Sequence, residues 1–276
     1  MSLDHRIYFL GIIAVDLANP NGDPLNNNRP RQLYDGRGEI SDVCIKRKIR
    51  NRLQDMGYNI FVQLEERVTD GFSSLAKRGK SIFTAEIKKD WDKYKGKACE
   101  MWMDVRAFGQ IFAFPGENVS EAVRGPVTVS SACSLEPIDI YTNWHTKSAS
   151  MYEPTQKQSD IMGCTHRIDH GAYVFQGGIS PQLASLTGFS AEDAEAVKDA
   201  ILTMFCNDES SARPVGSMEL HRLYWWEHNC PSGQYSPRKV FDTINLSPCD
   251  TWPYYTVEHT PLPGLSPTIY VEGMKE

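Results

Sequence analysis

The sequence of 276 residues lacks several features that would assign it to a common enzyme or membrane class. Its longest apolar run, Ile7 to Val15, is well short of the roughly 18 residues that a membrane-spanning helix requires. The phosphate-binding pattern GxxxxGKS/T, the hydrolase pattern GxSxG and the zinc-protease pattern HExxH do not occur. A P-loop ATPase, an α/β-hydrolase and a zincin therefore have no support, and the sequence predicts no cofactor and no bound metal.

Cysteine is present but follows no pairing pattern. The seven cysteines are an odd number, are spread along the chain and include no CxxC pair. This usage is typical of free thiols in a reducing compartment, so we expect a cytoplasmic protein. The apolar run lies between Asp4 and Asp16 and is followed by no small-x-small cleavage site, which indicates a buried first strand and not a signal peptide.

Acidic residues outnumber basic ones, and the net charge of −6 argues against a protein that binds nucleic acid with its whole surface. The charge is unevenly distributed, however. Residues 190–276 hold 13 acidic and 6 basic residues, whereas residues 29–52 hold 8 basic and 3 acidic ones. A local excess of positive charge in an acidic chain indicates one surface that binds an anion and another that does not.

The order of strand and helix patterns predicts an α+β fold. Hydrophobic periodicity and helix-capping signals place the elements at strand 7–15, helix 42–54, strand 126–137, strand 168–179, helix 190–205 and strand 215–226. This βαββαβ order is the ferredoxin-like pattern, which RRM-type RNA-binding domains share. A largely helical segment, 61–110, is inserted after the first helix, and a polar segment, 138–165, between the second and third strands. We therefore expect one enlarged domain, 1–276.

The proline-rich C-terminal segment and the tryptophans allow two further expectations. The prolines predict a segment that wraps the surface and adds one edge strand at 268–271. Trp225 and Trp226 are adjacent in a predicted strand, where neighbouring side chains point to opposite faces, so we expect at least one of them in the core. A core role is the simpler interpretation for this pair than a base-stacking platform, for which Trp144 is another candidate.

The first predicted helix carries five basic residues within seven positions: Lys46, Arg47, Lys48, Arg50 and Arg52. A phosphate backbone would relieve their mutual repulsion, and binding of that kind would be sensitive to salt. A solvated helix face, with long side chains lying along the surface, explains the pattern equally well. Arg29 and Arg31, on the loop before the helix, favour the anion-binding interpretation.

The loop between the first strand and the first helix, Asp16 to Ile40, is long for a compact domain, and loops of this length are more often functional than decorative. Its turn cluster, Asn19 to Pro24, contains residues that suit left-handed backbone conformations. The cluster is either a plain tight turn or a loop whose amides and Asn side chains contact sugar or phosphate.

Two minor interpretations concern histidine and cysteine. Cys164, His166 and His170, with Cys133 as a fourth, would supply zinc ligands, although their spacing is not that of a standard zinc finger. His145 or His166 would be a general base toward a ribose hydroxyl if the protein cleaved RNA. No acid–base partner for either histidine is visible in the sequence.

Five segments also stand out as motifs: Asn19–Pro24, Asp42–Arg50, Asp104–Gln110, Arg124–Ser130 and Gly163–Arg167. In this order they resemble the backbone subunit of type I-C CRISPR surveillance complexes (Cascade), a member of the RAMP superfamily. Each motif alone is weak, but five in the same order are highly specific. The resemblance covers the chain from about residue 5 to about residue 230.

The resemblance implies a non-catalytic protein that binds CRISPR RNA (crRNA) in antiviral defence. Copies would stack head to tail along the guide and present it for base pairing with a target DNA strand, with other Cascade subunits as further partners and no membrane. The core would be a single RAMP domain, in which 61–110 is a helical region and 138–165 a thumb-like β-hairpin that crosses the guide. The alternative is a metal-independent endoribonuclease of the same superfamily that processes CRISPR RNA.

Charge pattern and resemblance together give a set of predicted RNA-binding residues. The set is Asn21, Arg29, Arg31, Ser41, Lys46, Arg47, Arg50, His166 and Arg167. By motif match, Lys46, Arg47 and Arg50 would hold guide phosphates, and Arg167 would lie at the base of the thumb. Asp23 lies in a place similar to that of the acidic residue of RNA-cleaving relatives, but the surrounding motif is the DNA-targeting form, so no catalytic residue is predicted.

Overall fold

The computed structural model describes residues 2–83, 87, 90–113, 120–146 and 162–275. The strands are β1 (Ile7–Asp16), β2 (Gly22–Asp23), β3 (Arg29–Pro30), β4 (Arg37–Ile40), β5 (Gly109–Ala113), β6 (Ser120–Arg124), β7 (Val127–Val129), β8 (Ala132–Pro137), β9 (Ile140–Thr146), β10 (Met162–Ile168), β11 (His170–Ile179), β12 (Met218–Glu227), β13 (Ile244–Pro248), β14 (Tyr255–His259), β15 (Thr268–Val271) and β16 (Met274–Lys275). The α-helices are α1 (Asp42–Asp55), α2 (Leu75–Lys80), α3 (Trp91–Met101), α4 (Met103–Phe108), α5 (Pro181–Thr187), α6 (Ala191–Leu202) and α7 (Pro237–Phe241). The protein is a mixed α+β structure with one large antiparallel sheet, as predicted at this level.

The main sheet has the strand order β16-β15-β12-β1-β11-β8-β4, with β7 also paired to β11. At its centre, β1 pairs with β11 and β12, so that Ile7 lies opposite both Ile179 and Glu227. All residues of β1 except the last are buried. A continuous apolar sequence is expected of a strand that is covered on both faces. The prediction of a buried strand at 7–15 is confirmed.

Helices α1 and α6 cover one face of this sheet, here called the helix face. Ser41 caps α1, because its hydroxyl oxygen accepts a hydrogen bond from an amide of the first turn (3.3 Å). A reciprocal capping box begins α6 in the same way. Along α1, Ile45, Ile49 and Leu53 recur at helical spacing and are buried against the sheet. The helix predicted at 42–54 is confirmed.

The C-terminal segment covers the opposite face of the sheet, here called the C-terminal face. Tyr255 and other residues of this segment pack there against Tyr8 and its neighbours on β1. Trp225 and Trp226 divide between the two faces, Trp225 on the helix face and Trp226 on the C-terminal face, and each is only 1% exposed. Both are therefore core residues. The predicted edge strand is also confirmed, because β15 pairs with β12.

Two predicted elements differ from the structure. The strand expected at 126–137 is divided into β7 and β8, because the Ser130 hydroxyl accepts the amide of Gln176 (2.9 Å) in place of a backbone carbonyl. The long loop after β1 contains strands: β2 pairs with β3, and β4 joins the edge of the main sheet through β8. The sequence of β4, Arg-Gly-Glu-Ile, has one β-branched residue, so no strand pattern is visible in it.

The segment 61–110 contains α2, α3 and α4 and is followed by the hairpin of β6 with β5. It has an apolar cluster of its own, in which Phe61, Tyr94, Trp102 and Phe112 pack together. This cluster is distinct from the two that flank the main sheet. The segment therefore forms a second packing unit beside the sheet.

A buried carboxylate joins this unit to α1. Asp104 on α4 is 1% exposed and accepts hydrogen bonds from the amides of Phe61 (2.7 Å) and Val62 (3.1 Å). It also accepts one from Nε of Arg50 on α1 (3.1 Å). A buried carboxylate is tolerated when an opposite charge and further donors satisfy it, as they do here. Asp104 thus fixes the position of the helical segment relative to α1.

The cysteines and the helices can be compared with the sequence-based expectations. All seven cysteines are unpaired, in agreement with the predicted free thiols. Cys99 is a core residue of the helical segment, where burial raises the pKa of its thiol to about 11 and keeps it protonated. None of the described helices combines the length and the apolar character that crossing a membrane requires.

We expect Asp104→Asn to lower the free energy of unfolding by about 3 kcal/mol, because it leaves the Arg50 guanidinium without its buried counter-charge. Urea denaturation followed by circular dichroism measures the change. Asp92→Asn is the matched control: the Asp92 carboxylate is 90% exposed and pairs with Lys95 at the surface. That change should cost less than about 1 kcal/mol, and equal losses in the two variants would contradict the anchoring role of Asp104.

Candidate nucleic-acid interface

The long loop between β1 and α1 lies against the hairpin formed by β9 and β10. Nδ2 of Asn27 donates to Sγ of Cys164 (3.1 Å), and Nη1 of Arg29 donates to Oγ1 of Thr142 (3.4 Å). We call these four residues and His166 the loop–hairpin junction. Two members of the predicted RNA-binding set, Arg29 and His166, are thereby brought together.

The hairpin is the described part of the predicted thumb, 138–165. Strands β9 and β10 pair in regular antiparallel register, and residues 147–161 lie outside the described residues. Tyr141 is 49% exposed and Trp144 66% exposed. Because three positions separate them on one strand, the two rings lie on opposite faces of the hairpin. Each face therefore presents an aromatic side chain that could stack on a base.

His166 is the most buried member of the junction and is 7% exposed. Its Nδ1 lies 2.9 Å from Oγ1 of Thr142, and its Nε2 lies 3.5 Å from Nδ2 of Asn27. Burial, together with the positive charge of Arg29, lowers the pKa of His166 below its ordinary value of 6.5. The ring is therefore a neutral hydrogen-bonding group near pH 7, and not a cation for phosphate.

Asn21 and Ser41 join the turn cluster to the beginning of α1. Oδ1 of Asn21 accepts hydrogen bonds from the amide and the hydroxyl of Ser41, each at 2.9 Å. The carbonyl of Asn21 accepts the amide of Arg31 (3.0 Å), whose guanidinium lies 3.6 Å from Asp23 and is partly exposed. The turn cluster is thus held against the helix by its own side chains.

The three helix residues predicted to hold phosphates each have a partner within the chain. The partners are Asp42 for Lys46 (3.0 Å), the Val62 carbonyl for Arg47 (2.6 Å) and Asp104 for Arg50 (3.1 Å). The i,i+4 ion pair of Lys46 is partly exposed, and such a pair contributes little stability, so its ammonium can turn to an external phosphate at small cost. Arg50 is committed to a buried carboxylate. Phosphate binding by the three stays a prediction, and Lys46 is the most available of them.

The remaining cations of α1 point into the protein. Lys48 is 5% exposed and pairs with Asp208, and Arg52 donates from Nε to Oγ1 of Thr203 (2.7 Å). Burial lowers the pKa of Lys48, although the charge of Asp208 opposes this effect. Carboxylates of the chain itself therefore relieve much of the repulsion among the basic side chains of α1. Neither of the two sequence-based interpretations, phosphate binding or a solvated helix face, included this pairing.

The loop after α6 connects α1 to the base of the hairpin. Asp208 in this loop binds Lys48, and the carbonyl of Ser211 accepts Nη2 of Arg167 (2.7 Å). The next carbonyl along the loop accepts an amide of the turn cluster (2.9 Å). Arg167 therefore lies at the base of the hairpin, and its observed partner is backbone. Sequence reasoning missed Asp208, because a carboxylate 160 residues from its partner leaves no local pattern.

Two junction residues were also missed, Asn27 and Thr142. Asn27 and Asn28 both have left-handed backbone, with φ of 50° and 56°. Asparagine tolerates this conformation better than most residues, so the run of three asparagines at 26–28 was a visible signal for a turn that presents side chains. Thr142 gave no such signal, since a threonine in a strand is common.

The model of a protein family described as CRISPR-associated protein Cas7 matches residues 5–260. The chain belongs to this family. A Cas7 relative, the CRISPR-associated protein Cas7 of Haloferax volcanii, is 27% identical in a 245-residue alignment that covers 81% of this chain and 70% of that protein.

Two chains from solved structures also align with this Cas7 protein. One structure is described as a CRISPR RNA-guided surveillance complex, pre-nicking, and its chain aligns with a TM-score of 0.49 and 13% identity over 80% of this chain and 78% of that one. The other is described as a CRISPR RNA-guided surveillance complex, and its chain aligns with a TM-score of 0.48 and 16% identity over 90% and 77%.

The Cas7 match includes every residue of the predicted RNA-binding set, from Asn21 to Arg167, and ends before β15. The loop–hairpin junction, α1 and the loop after α6 all lie within it.

The zinc ligands proposed as a minor alternative are not assembled in this Cas7 protein. Cys164 and His166 are neighbours, but His170 bonds to Asp169 (3.0 Å) and stacks on Tyr254, with ring centroids 4.4 Å apart. Within the described ranges, no three His, Cys, Asp or Glu side chains form a group that could hold a metal ion.

The lowered pKa of His166 predicts an effect of pH on stability. Below about pH 6.5 the unfolded chain binds a proton at this histidine while the folded chain does not. The free energy of unfolding therefore decreases as the pH decreases. His166→Gln, which keeps a hydrogen-bonding group, should make the fall in unfolding free energy between pH 7.5 and pH 5.5 smaller. His221, His228 and His259, whose pKa values burial also lowers, still contribute to the remaining fall.

Urea unfolding at the two pH values measures this effect. His145→Gln is the control for loss of an imidazole from the same hairpin, since His145 is exposed on the face away from the junction. An identical pH dependence in wild type and His166→Gln would contradict the burial of a neutral ring at the junction.

Proposed function

We propose that this Cas7 protein is the crRNA-binding backbone subunit of a type I-C CRISPR surveillance complex. Membership of the family makes the chain a crRNA-binding backbone subunit of a Cascade-type complex, and the family match over residues 5–260 is the observation that carries the proposal. The assignment to type I-C is more specific than the family match. It is supported by the five sequence motifs, which occur in the expected order.

The proposal includes a ferredoxin-like RAMP domain as the core of residues 1–276. In support, β1, α1, β8, β11, α6 and β12 follow one another along the chain in βαββαβ order, and the four strands lie in the order β12-β1-β11-β8. In this scheme 61–110 is the helical insertion, and 138–165 is the thumb-like insertion whose base is the hairpin of β9 and β10.

The guide RNA is proposed to run along the loop–hairpin junction and the beginning of α1. RRM domains bind RNA on the open face of their sheet, through aromatic residues of its strands. Here helices cover one face of the main sheet, and the C-terminal segment packs over much of the other, where Tyr8, Tyr224 and Trp226 are buried. The local positive charge of residues 29–52 supports a path outside the sheet, over the loop and the helix.

The surroundings of His166 argue against this residue as the general base of the endoribonuclease alternative. A general base must reach the ribose hydroxyl from which it removes a proton. The ring of His166 is buried and bonded to Thr142, and no carboxylate lies among its hydrogen-bond partners in the described residues. Cas7 proteins are generally structural backbone subunits, which fits this arrangement.

The proposed partners follow from the scaffold role. They are the crRNA, the target DNA strand through pairing with the guide, further copies of the chain in head-to-tail contact, and other Cascade subunits. Because base pairing identifies the target, the protein need contact only the backbone and shape of the guide. A cytoplasmic location is part of the proposal, as expected from the free thiols.

Incubation with guide RNA separates the scaffold from the nuclease. The scaffold should protect the guide from an added ribonuclease at a regular nucleotide spacing, because identical copies repeat their contacts along the strand. Limited digestion and denaturing gel electrophoresis give the spacing. Shortening of the guide by the purified protein alone, in the presence of a chelator, would support the endoribonuclease and overturn the scaffold.

Variants of accessible cations test the proposed path. Arg31→Gln and Lys46→Gln should each weaken guide binding several-fold and reduce the slope of log K against log salt by about 0.7 to 1, because each removes one phosphate contact. Fluorescence anisotropy at several salt concentrations measures both quantities. Arg50→Gln is less informative, since it also leaves Asp104 unpaired.

Lys97→Gln is the matched control, since the Lys97 ammonium is exposed on α3 and pairs with Glu100. Its guide affinity and salt slope should equal those of wild type. If Arg31→Gln and Lys46→Gln also behave like wild type, the guide does not follow the loop and the helix.

A further inference from the structure

An open groove lies on the C-terminal face, where the C-terminal segment leaves the sheet uncovered between β7 and α7. Its volume is about 560 Å³, and its floor includes Thr128, Gln176 and Gly178. The Tyr8 ring packs over Gly178, where a Cβ would lie 2.9 Å from Cδ1 of Tyr8, and the Thr128 side chain is exposed, so the accessible part of the floor is at Thr128. The junction and α1 are not part of this surface.

Two arginines give the groove a positive charge. Arg6 is fixed in place, because its Nε donates to the carbonyl of Pro231 (3.1 Å) and its Nη2 to Oε1 of Gln182 (2.7 Å). Arg124 is exposed, and no ion-pair partner for it is found among the described residues. No carboxylate occurs among the described residues that line the groove. A cationic groove on a chain of net charge −6 is complementary to an anionic partner.

The lining of the groove distinguishes an acidic peptide from a nucleic-acid strand. Single-stranded nucleic acid is held by aromatic rings whose faces are open for stacking. The Tyr8 ring is 6% exposed and packs edge-on against Phe241 and His228, at centroid distances of 5.9 and 4.8 Å. The Tyr8 ring therefore offers no free stacking face to a base. Leu183 and Phe241 give the groove an apolar wall, which suits an aliphatic side chain.

We propose that this groove docks an extended acidic segment of a protein partner. A carboxylate side chain lies between Arg6 and Arg124, and an aliphatic side chain of the same segment packs against Leu183 and Phe241. The combination of charge and apolar wall gives specificity that charge alone does not. A neutral segment lacks the contact with the arginines, and a purely acidic segment lacks the contact with the apolar wall. The surface is separate from the proposed RNA path and is testable without RNA.

The test uses the full chain in the absence of RNA and three fluorescein-labelled probes: the hexapeptide Glu-Leu-Glu-Leu-Glu-Leu, the same peptide with Gln in place of Glu, and the oligonucleotide dT6. Fluorescence anisotropy at low salt gives each dissociation constant. The acidic peptide should bind at least tenfold more tightly than the neutral one. Arg124→Gln should weaken it about tenfold, the loss of one charge-assisted contact. Thr128→Trp, which fills the groove from an exposed position, should abolish it.

Arg238→Gln is the control, because Arg238 is an exposed cation of α7, 88% accessible, that pairs with Asp242 and does not line the groove. It should leave binding unchanged. Equal binding of the acidic and neutral peptides, or wild-type affinity in Arg124→Gln, overturns the proposal. Binding of dT6 that Thr128→Trp abolishes assigns the groove to nucleic acid instead. Guide binding by Thr128→Trp is measured in parallel, and its loss would place the groove on the RNA path.

Discussion

Helix α1 carries five basic residues, and the carboxylates that pair with its buried cations fix the positions of the neighbouring segments. Asp104 brings the helical segment to the helix through Arg50, and Asp208 brings the loop after α6 to it through Lys48. That loop in turn offers its carbonyls to Arg167 and to the turn cluster. Replacement of one partner of such a pair leaves a buried charge unpaired, which is costly, so both partners are needed to keep these segments in place. The helix is thus the common reference for the elements that surround the proposed guide path.

The covering of the sheet decides what kind of RNA-binding surface the chain can have. A ferredoxin-like sheet with an open face would offer its own aromatic residues to bases, but here the aromatic rings of β12 are in the core on both sides. Exposed rings are found outside the sheet, among them Tyr141 and Trp144 on the hairpin and Tyr34 on the long loop. On the proposed path, the elements inserted into the sheet contact the RNA in place of the sheet itself. This suits a protein that must follow a strand and leave its bases free for pairing.

The sequence predicted those elements whose pattern is local. The buried strand β1, the helix α1 with its cap Ser41, the opposite faces of Trp225 and Trp226 and the edge strand β15 all depend on neighbours within a few positions. The division of the strand at Ser130, the strand β4 in the long loop and the pairing of Asp104 and Asp208 depend on residues far along the chain. For the candidate site, the charge pattern located five cations on one helix, α1, and their binding to RNA stays a prediction. It did not show which cations are buried, since that depends on the packing of α4 and of the loop after α6.

The bonds that hold the long loop have a kinetic consequence. Asn21 fixes the turn cluster to Ser41, and Asn27 and Arg29 fix the following turn to the hairpin, through groups of the chain itself. A surface that is held by its own hydrogen bonds loses little conformational entropy on association. In the proposed scaffold, a copy therefore leaves the guide and rejoins it without refolding, so that gaps along a partly occupied guide are filled at the rate of encounter.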